Sequence, residues 1–388
     1  MTDTLRDTLT FVVPTYNRYD RLLRLLGYYR ATGCSARMRI LDSSSDAAPG
    51  GGALQSFASP HGATSITRYD SKIPALVKML DGLEAVATPY VALWADDDFL
   101  VPRTCAAGVR ILEQQPQVSV VHGRSALFHV ETGHVRWVAP YLQRDLRDAT
   151  ASARLRNHLQ GYSVTFYSLH RTEALTRNLR QVCRLELDWH TWGEIALSCL
   201  GLIEGQAMSL PDLYMVREGH ADMTSLRMHQ ARGLDTFDWL TDTTFSSRHG
   251  RYETFRDCLA PALMRQDGLT VHQAHQVIKQ AFWSYLVPHM EEQWRGDGGA
   301  TMSAMGRLQE AARRVPGLRN AWRAVRSRMP DEVGACSLEA LLRPSSRHHR
   351  DFLPIYRAIV AADGARASGV VRAPGPDRVA GRAGAVSG

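Results

Sequence analysis

An α/β fold, with a mainly parallel sheet flanked by helices and a helical C-terminal region after it, is what the sequence predicts. Three observations predict it. Short apolar, β-branched runs alternate with stretches whose apolar residues recur every three or four positions through the first hundred residues. The strand-like runs end in polar or acidic loops, as the ligand-bearing strand ends of open α/β sheets do. Beyond about residue 225 the period turns helical, most strongly at Val271 to Trp294.

The elements follow in order. Thr10 to Val13 reads as a buried strand that Pro14 stops. Leu22, Leu23, Leu25, Leu26 and Tyr29 then mark a helix from Arg18 to Arg30. Met38 to Leu41 is a second strand, ending in Asp42-Ser43-Ser44-Ser45. The Gly-rich stretch 49–52 reads as loop, and Thr64 to Arg68 as a third strand. Ile73, Leu76, Val77, Leu80 and Leu83 define a helix over Ile73 to Ala87, and Tyr90 to Trp94 forms a fourth strand. Val118 to Val121, Ala126 to Val130 and His134 to Val138 read as strands with a turn at Thr132-Gly133. Arg154 to Leu159 reads as helix, Tyr162 to Leu169 as strand, Asp188 to Leu200 as helix and Gln206 to Arg217 as extended.

Composition bounds the class. The chain has 388 residues, 44% hydrophobic and 22% charged, the profile of a globular enzyme of about two domains. No stretch approaches the ~18–20 apolar residues of a membrane helix. The acidic N-terminus MTDTLRDTL lacks the apolar core of a secretory leader, so a cytoplasmic location is the expectation. Net charge is +7, yet of 46 basic residues only Lys72, Lys78 and Lys279 are lysines. That bias reads as genome composition, and the spread of the arginines gives no nucleic-acid patch. The cysteines show no CxxC and read as reduced thiols.

The sharpest chemical feature is Asp96-Asp97-Asp98, placed after the fourth strand. Three adjacent carboxylates repel one another and call for a cation, and carboxylate plus phosphate oxygens suit Mg²⁺ or Mn²⁺. The competing reading is a solvated acidic turn that caps the helix after Pro102. The loops Pro14-Thr15-Tyr16-Asn17-Arg18 and Asp42-Ser43-Ser44 should open on the same sheet edge. An aspartate with nearby hydroxyls can bind a base or ribose, Tyr16 can flank a base, and the helix near Arg18 presents a positive N-terminus.

FVVPTYNR, then ILDSSS, then SKIPALVKMLDGLEAVATPYVALWADDDFLVP together resemble the family 2 glycosyltransferases of GT-A fold, over roughly residues 8–220. The resemblance implies a nucleotide-sugar donor, a divalent metal at a DxD-type motif and inversion at the anomeric carbon. By position it implies that Thr15, Tyr16 and Asp42 contact base and ribose, and that Asp96 to Asp98 reach metal and diphosphate, with Asp96 and Asp98 favoured. The chain departs from the pattern at Ala95, where many members carry an aspartate. The family's acceptor-activating acid precedes a helix in the second half; here Asp188 is the first candidate, Glu186 the second and Glu194 the third, with an N-cap the competing role for Asp188. Trp189 and Trp192 offer either a sugar-stacking platform or core. Arg217 is a candidate for phosphate, His220 for a third metal ligand, and Lys72 for the nucleotide, each against a purely structural role.

The expected organisation is a transferase domain over 1–224, with a nucleotide half at about 8–102 and an acceptor half at about 103–224. A helical region over 225–362 offers a surface for a homodimer or for peripheral membrane contact, and 363–388 reads as a flexible tail. The expected activity is metal-dependent, inverting transfer from a nucleotide-diphosphate sugar, UDP-sugars favoured, to a hydroxyl. The alternatives are a non-catalytic nucleotide- or carbohydrate-binding protein on a degenerate version of the fold, or a nucleotidyltransferase. The last would show a GxGxR loop where this chain has PTYNR, and no GxGxxG or GxSxG supports oxidoreductase or serine hydrolase chemistry.

Overall fold

The computed structural model describes residues 5–45, 50–57, 64–131, 134–141, 144–185, 192–219, 251–297 and 338–367. Strands β1 (Leu9–Thr15), β2 (Arg37–Asp42), β3 (Thr64–Arg68) and β4 (Tyr90–Leu93) are parallel neighbours. Helix α1 (Tyr19–Ala31), the short α2 (Gly51–Leu54) and α3 (Ala75–Glu84) lie between them in sequence. The second half brings β5 (Phe99–Leu100), α4 (Pro102–Gln114), β6 (Val118–Glu131), β7 (His134–Tyr141), α5 (Ala151–Gln160), β8 (Leu169–Arg171), α6 (Thr172–Arg184), α7 (Glu194–Glu204) and β9 (Gln206–Gly219). Helices α8 (Arg251–Asp267), α9 (Val271–Asp297), α10 (Leu338–Leu342) and α11 (His349–Ala367) follow.

Among the described residues the strands form one sheet of order β3-β2-β1-β4-β8-β6-β9-β5, with β7 paired to β6. β8 runs antiparallel to both β4 and β6, β9 parallel to β6, and β5 antiparallel to β9. The expected α/β class therefore stands, with a parallel first half and a mixed second half.

Period-two alternation puts the two faces of β1 into two cores. Phe11 and Val13 join Leu22 and Leu25 of α1, Cys105 and Leu112 of α4, and Phe352, Ile355 and Ile359 of α11. Val12 joins Leu41, Leu93, Leu155, Leu179, Leu200, Phe255 and Ile278 on the opposite face. Each fully buried Leu or Phe contributes roughly 1.5–3 kcal/mol, so the sheet is held from both sides. The C-terminal helices dock on different faces: α8 and α9 cover α5 and α7, whereas α11 lies on α1.

Four local expectations are corrected. β1 continues through Pro14 to Thr15, because β4 leaves β1 after Val12 and the missing N–H breaks no bond on that side. Tyr162 to Ser168 is not strand; Ser168 N–H closes a turn on Thr165 O at 3.0 Å, and only Leu169–Arg171 pairs. The stretch 49–52, read as loop, already starts the α2 turn at Gly51. Helix α11 continues to Ala367, past the expected start of the tail at residue 363. The turn at Thr132-Gly133, residues 220–250, 298–337 and 368–388 lie outside the described residues.

Candidate active site

The C-terminal ends of β1, β2 and β4 meet at one edge, and their side chains are tied together there. Asp42, the last residue of β2, is buried. Its Oδ2 accepts from Tyr19 Oη and Arg68 Nη1, both at 2.6 Å, and its Oδ1 from Ser44 N–H at 2.9 Å. Burial alone would raise the Asp42 carboxyl; hydrogen bonds from Tyr19, Ser44 and Arg68 hold it below the ordinary carboxylate value. Asn17 takes a left-handed φ of 54° between β1 and α1, a conformation asparagine tolerates well. Its N–H donates to Ser44 Oγ at 2.8 Å and its Oδ1 accepts from Ser45 N–H at 2.9 Å, which locks the first loop to the second. Lys78 reaches the same edge from α3, donating to Thr15 O at 3.0 Å and to Ser43 Oγ at 2.6 Å. Burial depresses its pKa, opposed by the charges of Asp42 and Asp96.

The aspartate triplet caps β4. Thr15 Oγ1 donates to Asp96 Oδ2 at 2.7 Å, and Arg18 Nη1 lies 3.0 Å from Asp96 Oδ1. Arg18 also pairs with Asp97, whose Oδ2 has Arg21 at 3.4 Å. Asp98 Oδ2 faces Arg217 Nε at 3.2 Å and its Oδ1 accepts from Glu218 N–H at 3.0 Å. Arg24 pairs with Glu218 below this layer. Four guanidinium groups (Arg18, Arg21, Arg24, Arg217) thus face four carboxylates (Asp96, Asp97, Asp98, Glu218). Burial raises the carboxyls of both Asp96 and Asp98, opposed by Arg18 and Arg217 respectively, and the charge of Asp97 adds to both shifts.

A second wall stands beside Arg217. Its guanidinium lies over the Tyr167 ring, 5.3 Å from the centroid. Glu194, the first residue of α7, accepts from Tyr162 Oη at 3.4 Å. Burial pushes its carboxyl up to about 7 against the favourable field of Arg217. Arg217, Asp98 and Asp97 also influence Tyr167, so these groups share one electrostatic environment.

Pro14, Thr15, Tyr16, Arg18, Asp42, Ser44, Asp96, Asp97, Asp98 and Arg217 therefore come together at one sheet edge, with Tyr16 52% exposed there. Lys72 does not join them through any polar contact; its backbone N–H donates to Asp70 at 2.8 Å and its side chain is exposed, while Lys78 takes the strand-end position. Glu186, Asp188, Trp189 and His220 lie outside the described residues. Trp192 is core, 1% exposed and packed on Phe255 and Phe282 at 5.2 and 5.3 Å, so it offers no sugar platform. Tyr19, Arg21, Arg24, Arg68, Lys78, Tyr167 and Glu218 escaped the sequence reading. The three-residue spacing of Arg18, Arg21 and Arg24 on one helix face was the signal that could have found the arginines.

No protein-family model matches the chain, and no curated protein does. Among solved structures, S. aureus TarS 1–349 in complex with UDP-GlcNAc aligns over 93% of this chain and 92% of its own, at 14% identity and a TM-score of 0.48. The mannosyltransferase PcManGT from Pyrobaculum calidifontis, in complex with GDP-Man and Mn²⁺, aligns over 94% and 87%, at 14% identity and 0.42. Likenesses of this size carry no functional conclusion.

The donor set can be tested against a divalent cation. No group of three or more His, Cys, Asp or Glu side chains converges as a metal cage among the described residues. Magnesium-type ions are, however, commonly held by one or two carboxylates plus substrate phosphates. Asp97 is the most open of the triplet, with an 11% exposed side chain against 3% and 4% for Asp96 and Asp98. Hard carboxylate oxygens at this strand end fit an ion that arrives with a diphosphate.

Proposed function

We propose that the chain is an inverting glycosyltransferase that moves a sugar from a nucleotide-diphosphate donor, a UDP-sugar by preference, to an acceptor hydroxyl. One observation carries the reading: a buried, pre-oriented Asp42 and the triplet Asp96–Asp98 share the C-terminal edge of three parallel strands. A packed core does not require that convergence, and open α/β sheets bind ligands at that edge.

In this reading Asp42, oriented by Tyr19, Arg68 and Ser44 N–H, accepts hydrogen bonds from the base or ribose. Exposed Tyr16 flanks the base. Arg18 and Arg217, each already bound to the triplet, face the diphosphate and counter its charge. Mn²⁺ or Mg²⁺ would be held by Asp98 together with Asp97 or Asp96, and His220 stays a proposed further ligand; when bound, the ion stabilises the leaving diphosphate. The acceptor oxygen bonds to the anomeric carbon as the bond to the diphosphate oxygen breaks, and a carboxylate takes the hydroxyl proton. Glu194, whose carboxyl burial pushes up to about 7 against the charge of Arg217, is proposed for that role. Asp188 and Glu186 remain proposed for the same role.

A screen of nucleotide sugars for donor hydrolysis in the presence of Mn²⁺ tests this without knowledge of the acceptor. Turnover of at least one donor is expected. Metal-dependent nucleotide binding with no turnover of any donor would favour a non-catalytic binding protein, for which Ala95 is the supporting feature.

A further inference from the structure

Helix α1 carries Arg21 and Arg24 of the candidate site, and one of its faces borders a cavity of about 1170 Å³ shared with α4 and α11. The floor is α1, with Leu23, Gly27 and Ala31 four residues apart. A Cβ built at Gly27 would meet no atom within 4 Å. A glycine inside a helix costs about 1 kcal/mol relative to alanine, and here no neighbour among the described residues demands it. Small and apolar residues continue the trough, Ala106 on α4 and Pro354 and Ala358 on α11.

The rim is cationic. Arg103 and Arg110 lie seven apart on α4, and Arg350 and Arg357 seven apart on α11, so each of these pairs shares one face of its helix. Arg103 is held by Asp351 at 2.6 Å. Arg110, Arg350 and Arg357 are exposed and make no ion pair among the described residues. Asp20 is the other acidic residue of the lining, besides Asp351. Three uncommitted guanidinium groups above an apolar trough suit one ligand chemistry: a fork of donors for phosphate, and a groove for a hydrocarbon chain. The C-terminal residues 368–388 are the wrong occupant by charge, with Arg372, Arg378 and Arg382 against Asp377.

We propose that this cavity binds a single-chain amphiphile with a phosphate headgroup, the chain lying along Gly27 and Ala31 and the phosphate held by Arg110, Arg350 and Arg357. The inference does not depend on the activity assigned to the sheet edge.

Isothermal titration of the full chain with monomeric 1-oleoyl lysophosphatidic acid tests it, beside the phosphocholine analogue of the same chain and inorganic phosphate. One equivalent of the lysophosphatidic acid should bind, and neither comparison compound should match it. Arg110→Glu combined with Arg357→Glu should weaken binding by about tenfold or more. Gly27→Phe, which fills the trough, should abolish it while the circular dichroism spectrum is kept; Ala358→Leu gives the same test should Gly27→Phe fail to fold. No binding, equal binding of the phosphocholine compound, equal binding of phosphate alone, or binding untouched by these variants would overturn the proposal.

Discussion

Glu194 and Asp42 are both acidic side chains of the candidate site, and their surroundings push them in opposite directions. Asp42 is surrounded by donors and stays ionised far below neutrality. Removing its charge with Asp42→Asn leaves Tyr19 and Arg68 without their anion and should weaken nucleotide binding about tenfold or more, since hydrogen bonds to charged groups are worth about 1.5–3 kcal/mol. Titration with UDP reads this directly. Glu194 is poised near neutrality by burial. A base must be deprotonated to act, so turnover should rise with pH through about 7 and level off above it. Glu194→Gln should lower kcat by about 10²–10⁴-fold and remove that rising limb, with UDP affinity unchanged. A Glu194→Gln enzyme with a normal pH profile would return the role to Asp188 or Glu186.

At the scale of elements, α1 is the member whose role is not evident from its own pattern. Its leucines predict a helix correctly, and its arginines look like an ordinary solvated face. Arg24 is nevertheless buried and paired with Glu218, 194 residues away in sequence. Removing one partner of a buried pair costs about 3–5 kcal/mol, because the other charge is left stranded, whereas replacing both can be nearly neutral. Arg24→Met should therefore destabilise strongly in urea unfolding, and Arg24→Met with Glu218→Met should recover most of the loss. The triplet and Asp42 were legible because each follows directly from a strand end in the sequence. Lys78 was not, because a helix periodicity does not say which of its turns faces the strand ends. Tyr162 to Ser168 alternates like a strand but packs as an aromatic turn, Phe166 and Tyr167 with ring centroids 4.0 Å apart; tertiary packing overrides β-propensity there.

For the whole molecule, the helices after residue 250 are fastened to the α/β core by specific polar contacts as well as by apolar packing. Asp267, the last residue of α8, accepts from the N–H groups of Ala151 and Ser152 at the start of α5, both at 2.8 Å. Arg154 of α5 in turn donates to Leu202 O and Ile203 O at the end of α7, at 2.7 and 2.8 Å. Burial would raise the Asp267 carboxyl, but these hydrogen bonds and Arg154 hold it below its ordinary value. A depressed carboxyl stabilises the fold above its unfolded-state pKa, and the contribution is lost as pH falls through the folded-state value. Asp267→Ala should cost about 1 kcal/mol near neutral pH, and the gap from the parent protein should close as the medium is acidified. A gap of the same size throughout acid titration would remove the electrostatic part of this account. α8 and α9 pack on one face of the sheet while α11 packs on the other; the helical periodicity after residue 225 does not reveal this, because it shows an apolar face without naming what it covers.

The proposed function requires the shared edge of β1, β2 and β4 to bind a nucleotide diphosphate with a divalent ion. Calorimetric titration of UDP into the protein, with Mn²⁺ and with EDTA, tests it most directly. One site is expected, its affinity dependent on Mn²⁺ and lost in Asp98→Ala, in a protein that remains folded by circular dichroism. No UDP binding with Mn²⁺ present, or binding indifferent to both EDTA and Asp98→Ala, would contradict it.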